Sequence, residues 1–337
     1  MGTSSIGSGG DYATIPAWVA AEVTGVLTED VIGECKAELF SGTVTISGAT
    51  PGAYWVHLWA ESGAEHDGRG NHVSGAGNAR TVSSATNFPI EVAQNNVEIA
   101  WMEVYTEAAL YSRIIYFSGT RTNLRVRHNI LRPNSLDQLA AAGCWGDGTS
   151  TVITNGVMYR NIGYGGGRAM GMSTGDTSTG AVLLNSVYSK GFNNGVGEYH
   201  GIFVGGTMIV ENNAVFASTP GSDISINGSA TKDSNATSDT SGEAGLQNLT
   251  ASDNFKDVSA FAAMDLRILD ATADIYQAAD TTYSTATYPE IDVPISDRTA
   301  VVTGTWSIGA DDVTVTPTPT PMMESILLAS AFCIGPF

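Results

Sequence analysis

Three carboxylic acids in glycine-rich turns have the types and spacing that could carry out catalysis. Asp147, Asp176 and Glu198 follow one another at intervals of 29 and 22 residues. Glycoside hydrolysis needs two carboxyl groups about 5 to 9.5 Å apart, and a chain wound in repeated coils brings residues of neighbouring coils that close. Gly-Asp pairs are also common turn formers. Ordinary solvated turn residues are therefore the preferred interpretation of the three acids.

Two tryptophans form a second candidate site. The stretch YWVHLWA, residues 54–60, alternates with period two, so Trp55, His57 and Trp59 share one face of a predicted strand. The opposite face is expected to be core. Tryptophan is enriched in sugar-binding sites and in protein interfaces, so two interpretations stay open: a glycan platform, or a contact with another subunit. The second is slightly favoured, because no pair of acids is evident beside these tryptophans.

Metal and cofactor chemistry are not favoured. One loop concentrates oxygen and imidazole donors that could bind a divalent ion, but a hydrated loop is the preferred interpretation of Glu61, Glu65, His66, Asp67 and His72. The three cysteines have none of the close spacing of metal sites and are expected to be buried or reduced thiols: Cys35, Cys144 and Cys333. The sequence predicts neither a metal nor a cofactor.

Composition restricts the fold and the partners. The 337 residues include 39 glycines, and 34 acidic against 15 basic residues leave a net charge of −19. Abundant glycine with few charged residues favours a turn-rich β protein. An acidic surface repels phosphate backbones and anionic lipid, so neither nucleic acid nor a membrane is expected as a partner. No signal-peptide pattern follows Met1, so synthesis in a cytoplasm is expected.

Asparagine recurs along the middle of the chain at one phase of a repeat. Asn129, Asn161, Asn185 and Asn213 are separated by 32, 24 and 28 residues. Periods of this length with short strands and no helices between them are typical of a parallel β-solenoid, in which like residues stack from coil to coil. Asparagine at a corner can bond the free backbone and tolerate left-handed φ. A β-sandwich is the alternative architecture.

Three segments resemble right-handed parallel β-helix proteins of the pectate-lyase-like superfamily, of the type found in bacteriophage virions. GSGGDYATIPAWVAA at 7–21 is similar to their N-terminal cap with a short helix, and DLRILDATADIYQAAD at 265–280 and TGTWSIGADD at 303–312 are similar to their C-terminal segments. The sequence departs from the family's pattern at Tyr276 and Gln277, and the Ser-Pro that is usual in that pattern is missing. It implies an all-β, single-stranded right-handed parallel β-helix and says little about activity, because this fold supports many functions.

The chain is predicted to have four parts: an N-terminal cap (1–21), a β-helix domain (22–314), a Thr/Pro spacer (315–321) and a hydrophobic arm (322–337). Alternating Thr-Pro favours an extended spacer of about 3.1 Å per residue. The arm's docking side chains are Ile326, Leu327, Leu328, Phe332, Ile334 and Phe337. Burying them would contribute roughly 9 to 18 kcal/mol, whereas ordering the arm's backbone costs roughly 16 to 32 kcal/mol. The arm is therefore expected to need a partner.

These features together predict a non-enzymatic structural protein of a phage virion. The expected form is a capsid decoration protein or a head or tail appendage, assembled in the host cytoplasm and docked to other virion proteins through the arm. A homotrimer is implied by the resemblance alone. One alternative is a polysaccharide lyase or glycoside hydrolase that uses Asp147, Asp176 and Glu198. Another is a receptor-recognition module that binds a surface polysaccharide on Trp55 and Trp59.

Overall fold

The computed structural model describes residues 2–66, 68, 78–83, 88–107, 113–133, 141–146, 151–165, 170–172, 177–189, 200–217, 223–259, 264–279, 283–294, 298, 301–302 and 306–312. Its first elements are β1 (Gly2–Ile6), α1 (Ile15–Glu22), β2 (Gly25–Val26), β3 (Val31–Cys35), β4 (Leu39–Ser41), β5 (Val44–Ile46), β6 (Ala49–Thr50), β7 (Val56–Ala60), β8 (Arg80–Ser83), β9 (Ile90–Val92), β10 (Val97–Ala100), β11 (Glu103–Thr106), β12 (Arg113–Phe117) and β13 (Arg121–Arg127). They are followed by β14 (Ile130–Pro133), β15 (Ala141–Gly146), β16 (Ile153–Tyr159), β17 (Ile162–Gly165), β18 (Met170–Met172), β19 (Thr179–Leu183), β20 (Ser186–Ser189), β21 (Ile202–Glu211), β22 (Ala214–Ala217), β23 (Ile224–Gly228), β24 (Thr231–Asp233), β25 (Ala236–Thr237), α2 (Ala251–Asn254), β26 (Phe255–Asp257) and β27 (Asp265–Ile268). Neither helix found in these ranges has the length and apolar character needed to cross a membrane.

The strands form a parallel β-helix, as the asparagine repeat predicts. Sheet 1 stacks β1, β3, β7, β10, β13, β16, β19, the second half of β21 and β24. Sheet 2 stacks β4, β8, β11, β14, β17, β20, β22 and β25, and sheet 3 stacks β5, β9, β12 and β15. The pairing within these three sheets is parallel throughout. The all-β solenoid prediction is confirmed, and the β-sandwich alternative is wrong.

The core consists of apolar side chains that repeat in register from coil to coil. In sheet 1, Leu58, Ile99 and Val126 are paired neighbours, and each is almost fully buried. The helix α1 covers the N-terminal end of this core, where Trp18 is fully buried and lies close to Gly33. The short helix implied by the sequence resemblance is thus present at residues 15–22.

A ladder of buried asparagines lines the corner between sheets 1 and 2. From the second asparagine onward, each Oδ1 atom accepts from the backbone N–H of the asparagine in the preceding coil, at 2.9 to 3.0 Å; Oδ1 of the first, Asn129, accepts from the backbone N–H of Met102 at 3.0 Å. The Nδ2 of every asparagine but the last also donates to the next Oδ1, at 2.9 to 3.2 Å. The ladder comprises the four predicted residues and one further residue: Asn129, Asn161, Asn185, Asn213 and Asn235. Glu243 ends it by accepting from the backbone N–H of Asn235.

Left-handed backbone at this corner falls one residue before each asparagine, not on the asparagine itself. The positive φ angles lie between 50° and 62° at Trp101, His128, Arg160, Leu184, Asn212 and Ser234. Three asparagines away from this corner also have positive φ, just before or within strands of sheet 1: Asn96, Asn123 and Asn155. A left-handed residue turns its side chain out of the core, so the corner presents a row of side chains to whatever covers it.

The chain after β25 returns along the outside of the solenoid. The antiparallel pair β26–β27 contacts sheet 2, where Phe255 packs on Phe216 at 5.1 Å between ring centroids. Residues 283–294, 298 and 306–312, here called the strap, then lie along the corner between sheets 1 and 2. The segments that resemble the C-terminal segments of these β-helix proteins, 265–280 and 303–312, therefore lie on the flank wherever they are described.

Candidate functional site

The strap covers the side chains that the left-handed corner turns outward. Trp101, His128 and Arg160 are all fully buried beneath it. Gly309 donates its backbone N–H to the carbonyl of Asn212 at 2.9 Å, so the strap also bonds directly to the corner backbone. Because the strap buries these side chains and bonds to the corner backbone, the three residues belong to the folded core of the protein.

Arg160 fixes the last described part of the strap. Its Nε donates to the carbonyl of Ile291 at 2.9 Å, and its Nη1 lies 3.0 Å from Oδ2 of Asp312. The other carboxylate oxygen of Asp312 accepts from the backbone N–H of Ser307 at 2.8 Å. Arg160 is fully buried and Asp312 is 6% exposed. Removing either partner would leave a buried charge unpaired, so Asp312 is held at one point on the flank.

A second anchor joins the strap to the coils nearer the N-terminus. Glu290 accepts from Nε1 of Trp101 at 2.8 Å and also forms an ion pair with Arg127. Burial alone would raise the pKa of Glu290, but the neighbouring Arg127 and the bond from Trp101 lower it overall. His128 donates from Nε2 to the carbonyl of Val293 at 2.8 Å. Burial lowers the pKa of His128 well below its usual range, so this imidazole is neutral.

The outer face of sheet 1 contains a buried charge cluster. Glu98 is 1% exposed and lies 2.6 Å from Nη2 of Arg127, 3.4 Å from Nη1 of Arg125 and 3.6 Å from Nδ1 of His57. Burial would raise the pKa of Glu98, but Arg127, His57 and Arg125 outweigh it and hold the pKa well below its usual range. The cluster therefore has a carboxylate that stays charged at neutral pH and pairs with two arginines.

The two arginines lie against the two candidate tryptophans. The guanidinium of Arg125 is 4.2 Å from the ring centroid of Trp55, and that of Arg127 is 5.6 Å from Trp59. His57 packs between the two tryptophans, with its ring centroid 4.6 Å from that of Trp59. Both tryptophans are partly buried. The predicted face of Trp55, His57 and Trp59 is present, and cationic groups stack on both indole rings.

A groove of about 480 Å³ lies on sheet 1 beside this cluster. Val157, Ala181 and Ile209 form its apolar floor, in register on three successive strands. Trp55 and Arg125 close one end, and Tyr288 of the strap forms a side wall. Hydrogen-bonding side chains line the rest: Asn123, Asn155, Thr179, Thr207, Thr231 and Thr287. We call this the sheet 1 groove.

The described lining of the sheet 1 groove suits binding by burial and hydrogen bonding. Exposure of the floor rises toward one end, from Ala181 at 2% to Ile209, which has 41% of its surface in contact with solvent. Arg125 is the one charged side chain among the lining residues that the structure describes. From β13 to β24 the groove crosses four intervals between coils, which is about 19 Å. That length matches five or six residues of an extended peptide, or a few sugar rings.

The remaining candidate residues from the sequence lie partly at the groove, partly under the strap and partly outside the described residues. Trp55 lines the groove, but Trp59 does not. The candidate acids Asp147, Asp176 and Glu198 lie outside the described residues, as do the six docking side chains of the arm. In the loop at 61–72, Glu65 pairs with Arg298 of the strap at 2.9 Å and His66 bonds the carbonyl of His128 at 2.8 Å.

That loop is therefore not a simple hydrated loop. His66 is 2% exposed, so the preferred interpretation of this residue from sequence is wrong. Asp67 and His72 lie outside the described ranges. Within those ranges, no group of three or more His, Cys, Asp or Glu side chains is arranged to bind a metal ion. Of the three cysteines, Cys35 is a buried free thiol whose pKa is raised by burial.

Sequence reasoning missed Glu98, Arg125 and Arg127, which organise the groove's closed end. A signal was present, because Arg125 and Arg127 alternate with core residues in the stretch RVRH and Glu98 alternates in VEIA. Charged residues at outward positions of central strands are normally predicted to be exposed to solvent. Only the pairing register brings Glu98 of β10 directly beside Arg125 of β13.

One further buried acid lies toward the C-terminal end of the coils. Asp223 is 1% exposed, and its Oδ2 accepts from the backbone N–H and the hydroxyl of Ser238 at 2.5 and 2.8 Å. Asp239 accepts in turn from the backbone N–H of Asp223 at 2.7 Å. Burial, with help from the nearby Asp239 and despite the bonds from Ser238, raises the pKa of Asp223 to about 7.

Comparison with known proteins adds no family to this description. No protein-family model matches the chain, and no curated protein matches its sequence.

Proposed function

We propose that the protein is a non-enzymatic structural protein of a phage virion, such as a capsid decoration protein or a head or tail appendage. Docking occurs through the arm, residues 322–337. The observation that carries the proposal is the anchoring of Asp312, which is held on the flank of the solenoid by buried Arg160. The chain beyond Asp312 thus starts from a rigid point, and a Thr/Pro spacer separates that point from an apolar arm.

Two physical features suit this role. A parallel solenoid with a buried asparagine ladder satisfies its corner backbone internally, which supports a rigid and persistent body. The net charge of −19 keeps many copies from clumping nonspecifically. The phage setting and the homotrimer rest on the resemblance of residues 7–21, 265–280 and 303–312.

The enzyme and glycan-binding alternatives have less support. Cleavage of a glycosidic bond needs two carboxyl groups, and no carboxyl group is found among the described lining residues of the sheet 1 groove. The three acids proposed for catalysis lie outside the described residues. Sugar stacking needs an open aromatic face, and Arg125 already stacks on Trp55. A subunit contact is the better use of that surface.

Light scattering of the intact chain beside a chain truncated after Thr314 tests the proposal. The truncation keeps every described residue, so the folded body is retained. We expect the intact chain to assemble into a discrete oligomer and the truncated chain to remain a monomer. A matched control replaces Ile326 and Leu328 of the full-length chain by Ser, which keeps the length but removes apolar surface, and should behave like the truncation.

Stable monomers from both chains would contradict the docking role of the arm. The next measurement would then be cleavage of acidic polysaccharides by the intact chain. Cleavage that is lost on replacing Asp147, Asp176 or Glu198 by the corresponding amide would establish the enzyme alternative instead.

A further inference from the structure

We propose that the sheet 1 groove is the docking site for residues 324–328 of a second copy of this chain. The inference rests on the proposed function, because it names the surface that receives the arm. It is carried by the groove's shape, by one matching pair of charges and by the place where the strap leaves the solenoid.

The groove has the dimensions of a short extended peptide. Its floor runs across Val157, Ala181 and Ile209, one residue from each of three successive coils. The groove is about 19 Å long, and an extended chain advances about 3.3 Å per residue. Five or six residues therefore fill it, while the Thr and Asn side chains of the wall can bond the backbone of such a peptide.

Charge complementarity indicates which part of the arm lies in the groove and in which direction it runs. Arg125 is the one charged group in the described lining, at the end closed by Trp55. Glu324 is the one charged residue in the arm, residues 322–337. In an extended chain Glu324, Ile326 and Leu328 share one face, about 6.8 Å apart. With Glu324 beside Arg125, the two apolar side chains fall over the floor toward Ile209.

The spacer favours a groove on another copy. Asp312 is bound to Arg160, which follows Val157 by three residues, or about 10 Å of strand. The segment that follows Asp312 thus starts close to the chain's own groove. The Thr/Pro spacer, residues 315–321, extends about 22 Å at 3.1 Å per residue and resists bending back. It carries Glu324 and the residues after it past the chain's own groove, to a copy that lies alongside.

A single substitution in the floor tests the site. Ile209→Asp in the full-length chain places a charge where Ile326 or Leu328 would pack, and Ile209 is exposed enough that the fold should tolerate the change. We expect the dissociation constant of the oligomer to rise about ten- to a hundredfold, from light scattering across a dilution series. Leu39→Asp is the matched control, because Leu39 is similarly exposed, at 45%, on a different sheet.

A charge exchange tests the register of the arm. Glu324→Arg should weaken assembly about five- to tenfold, and adding Arg125→Glu to the same chain should restore most of it. If the combined variant assembles no better than Glu324→Arg alone, then Glu324 and Arg125 do not meet and the inference is overturned.

Disulfide trapping distinguishes a second copy from the same chain. In a Cys333→Ser background, one chain carrying Ile209→Cys is mixed with a chain of different mass carrying Ile326→Cys. A mixed disulfide between the two chains is the expected product. A chain carrying both substitutions that instead closes on itself at every dilution, with no mixed product, would show that the arm docks in cis and overturns the inference.

The outcomes separate this inference from the proposed function. If the Ile326 and Leu328 substitutions dissociate the oligomer while Ile209→Asp does not, the arm docks elsewhere; the inference fails and the proposed function stands. If none of these substitutions changes the mass of the oligomer, both the inference and the proposed function fail. Binding of a bacterial polysaccharide that Ile209→Asp abolishes, with assembly unchanged, would make the groove a glycan site and also overturn the inference.

Discussion

The asparagine ladder offers a sharp quantitative prediction at its middle rung, Asn185. Its Oδ1 accepts from the backbone N–H and the Nδ2 of Asn161 at 2.9 and 3.0 Å. Its own Nδ2 donates to the carbonyls of Leu183 and Met158 at 2.9 and 3.2 Å. All of these groups are buried, so a substitution here removes several bonds where water cannot easily replace them.

Asn185→Ala should destabilise the protein by roughly 2 to 6 kcal/mol. The backbone N–H of Asn161 loses its acceptor inside the protein, which costs about 1 to 3 kcal/mol. Loss of the two donations to the carbonyls of Leu183 and Met158 adds about 1 to 3 kcal/mol, because each hydrogen bond contributes a net of about 0.5 to 1.5 kcal/mol. Entry of a water molecule at the vacated site would place the result at the low end.

Equilibrium unfolding in guanidinium chloride, followed by tryptophan fluorescence, measures this loss. Asn227→Ala is the control, since Asn227 is exposed in β23, and it should change the free energy of unfolding by no more than about 0.5 kcal/mol. If the two variants differ by less than about 1 kcal/mol at equal denaturant dependence, the ladder is not a major source of stability and the reasoning is refuted.

Three further predictions concern buried charges. Arg160→Met should cost about 3 to 5 kcal/mol by leaving Asp312 unpaired, and it should speed proteolytic cleavage within the strap; unchanged cleavage would contradict the anchoring. Glu98→Gln should cost a similar amount at pH 7 by unbalancing Arg127. Because the pKa of Glu98 is lowered in the folded protein, the difference in free energy of unfolding between wild type and variant should be largest above about pH 5 and should shrink as pH falls below about 4. A difference that does not change with pH would disprove this. Asp223→Asn should become the more stable form as pH rises from about 4 to 7, by up to about 4 kcal/mol, since the pKa of Asp223 is raised to about 7; parallel pH profiles of unfolding would show that Asp223 does not titrate in this range.

Much of the solenoid could be predicted from the sequence because the same residue types recur at equivalent positions of successive coils. Asn129, Asn161, Asn185 and Asn213 recur at one phase, and each contacts the equivalent residue of the next coil. Asn235 belongs to the same ladder, 22 residues after Asn213, but was not predicted as part of it.

The groove and the strap could not be predicted in the same way. Trp55 was identified as a surface residue, but its stacking with Arg125 depends on strand register across the coils between them. The bond between Trp101 and Glu290 joins residues 189 positions apart, and that between Arg160 and Asp312 joins residues 152 apart. Neither pair lies in a repeated pattern, so nothing local identifies the partners.

The sequence by itself therefore determined the coil architecture, the asparagine corner and the outward face of Trp55, since each follows from a repeat or an alternation that neighbouring residues carry. Only the tertiary structure decided that residues 283–312, wherever they are described, lie along the flank instead of closing an end. The physical reason is that left-handed residues such as Trp101 and Arg160 turn large side chains outward. Those side chains can be buried only by a distant segment that happens to return along the same corner.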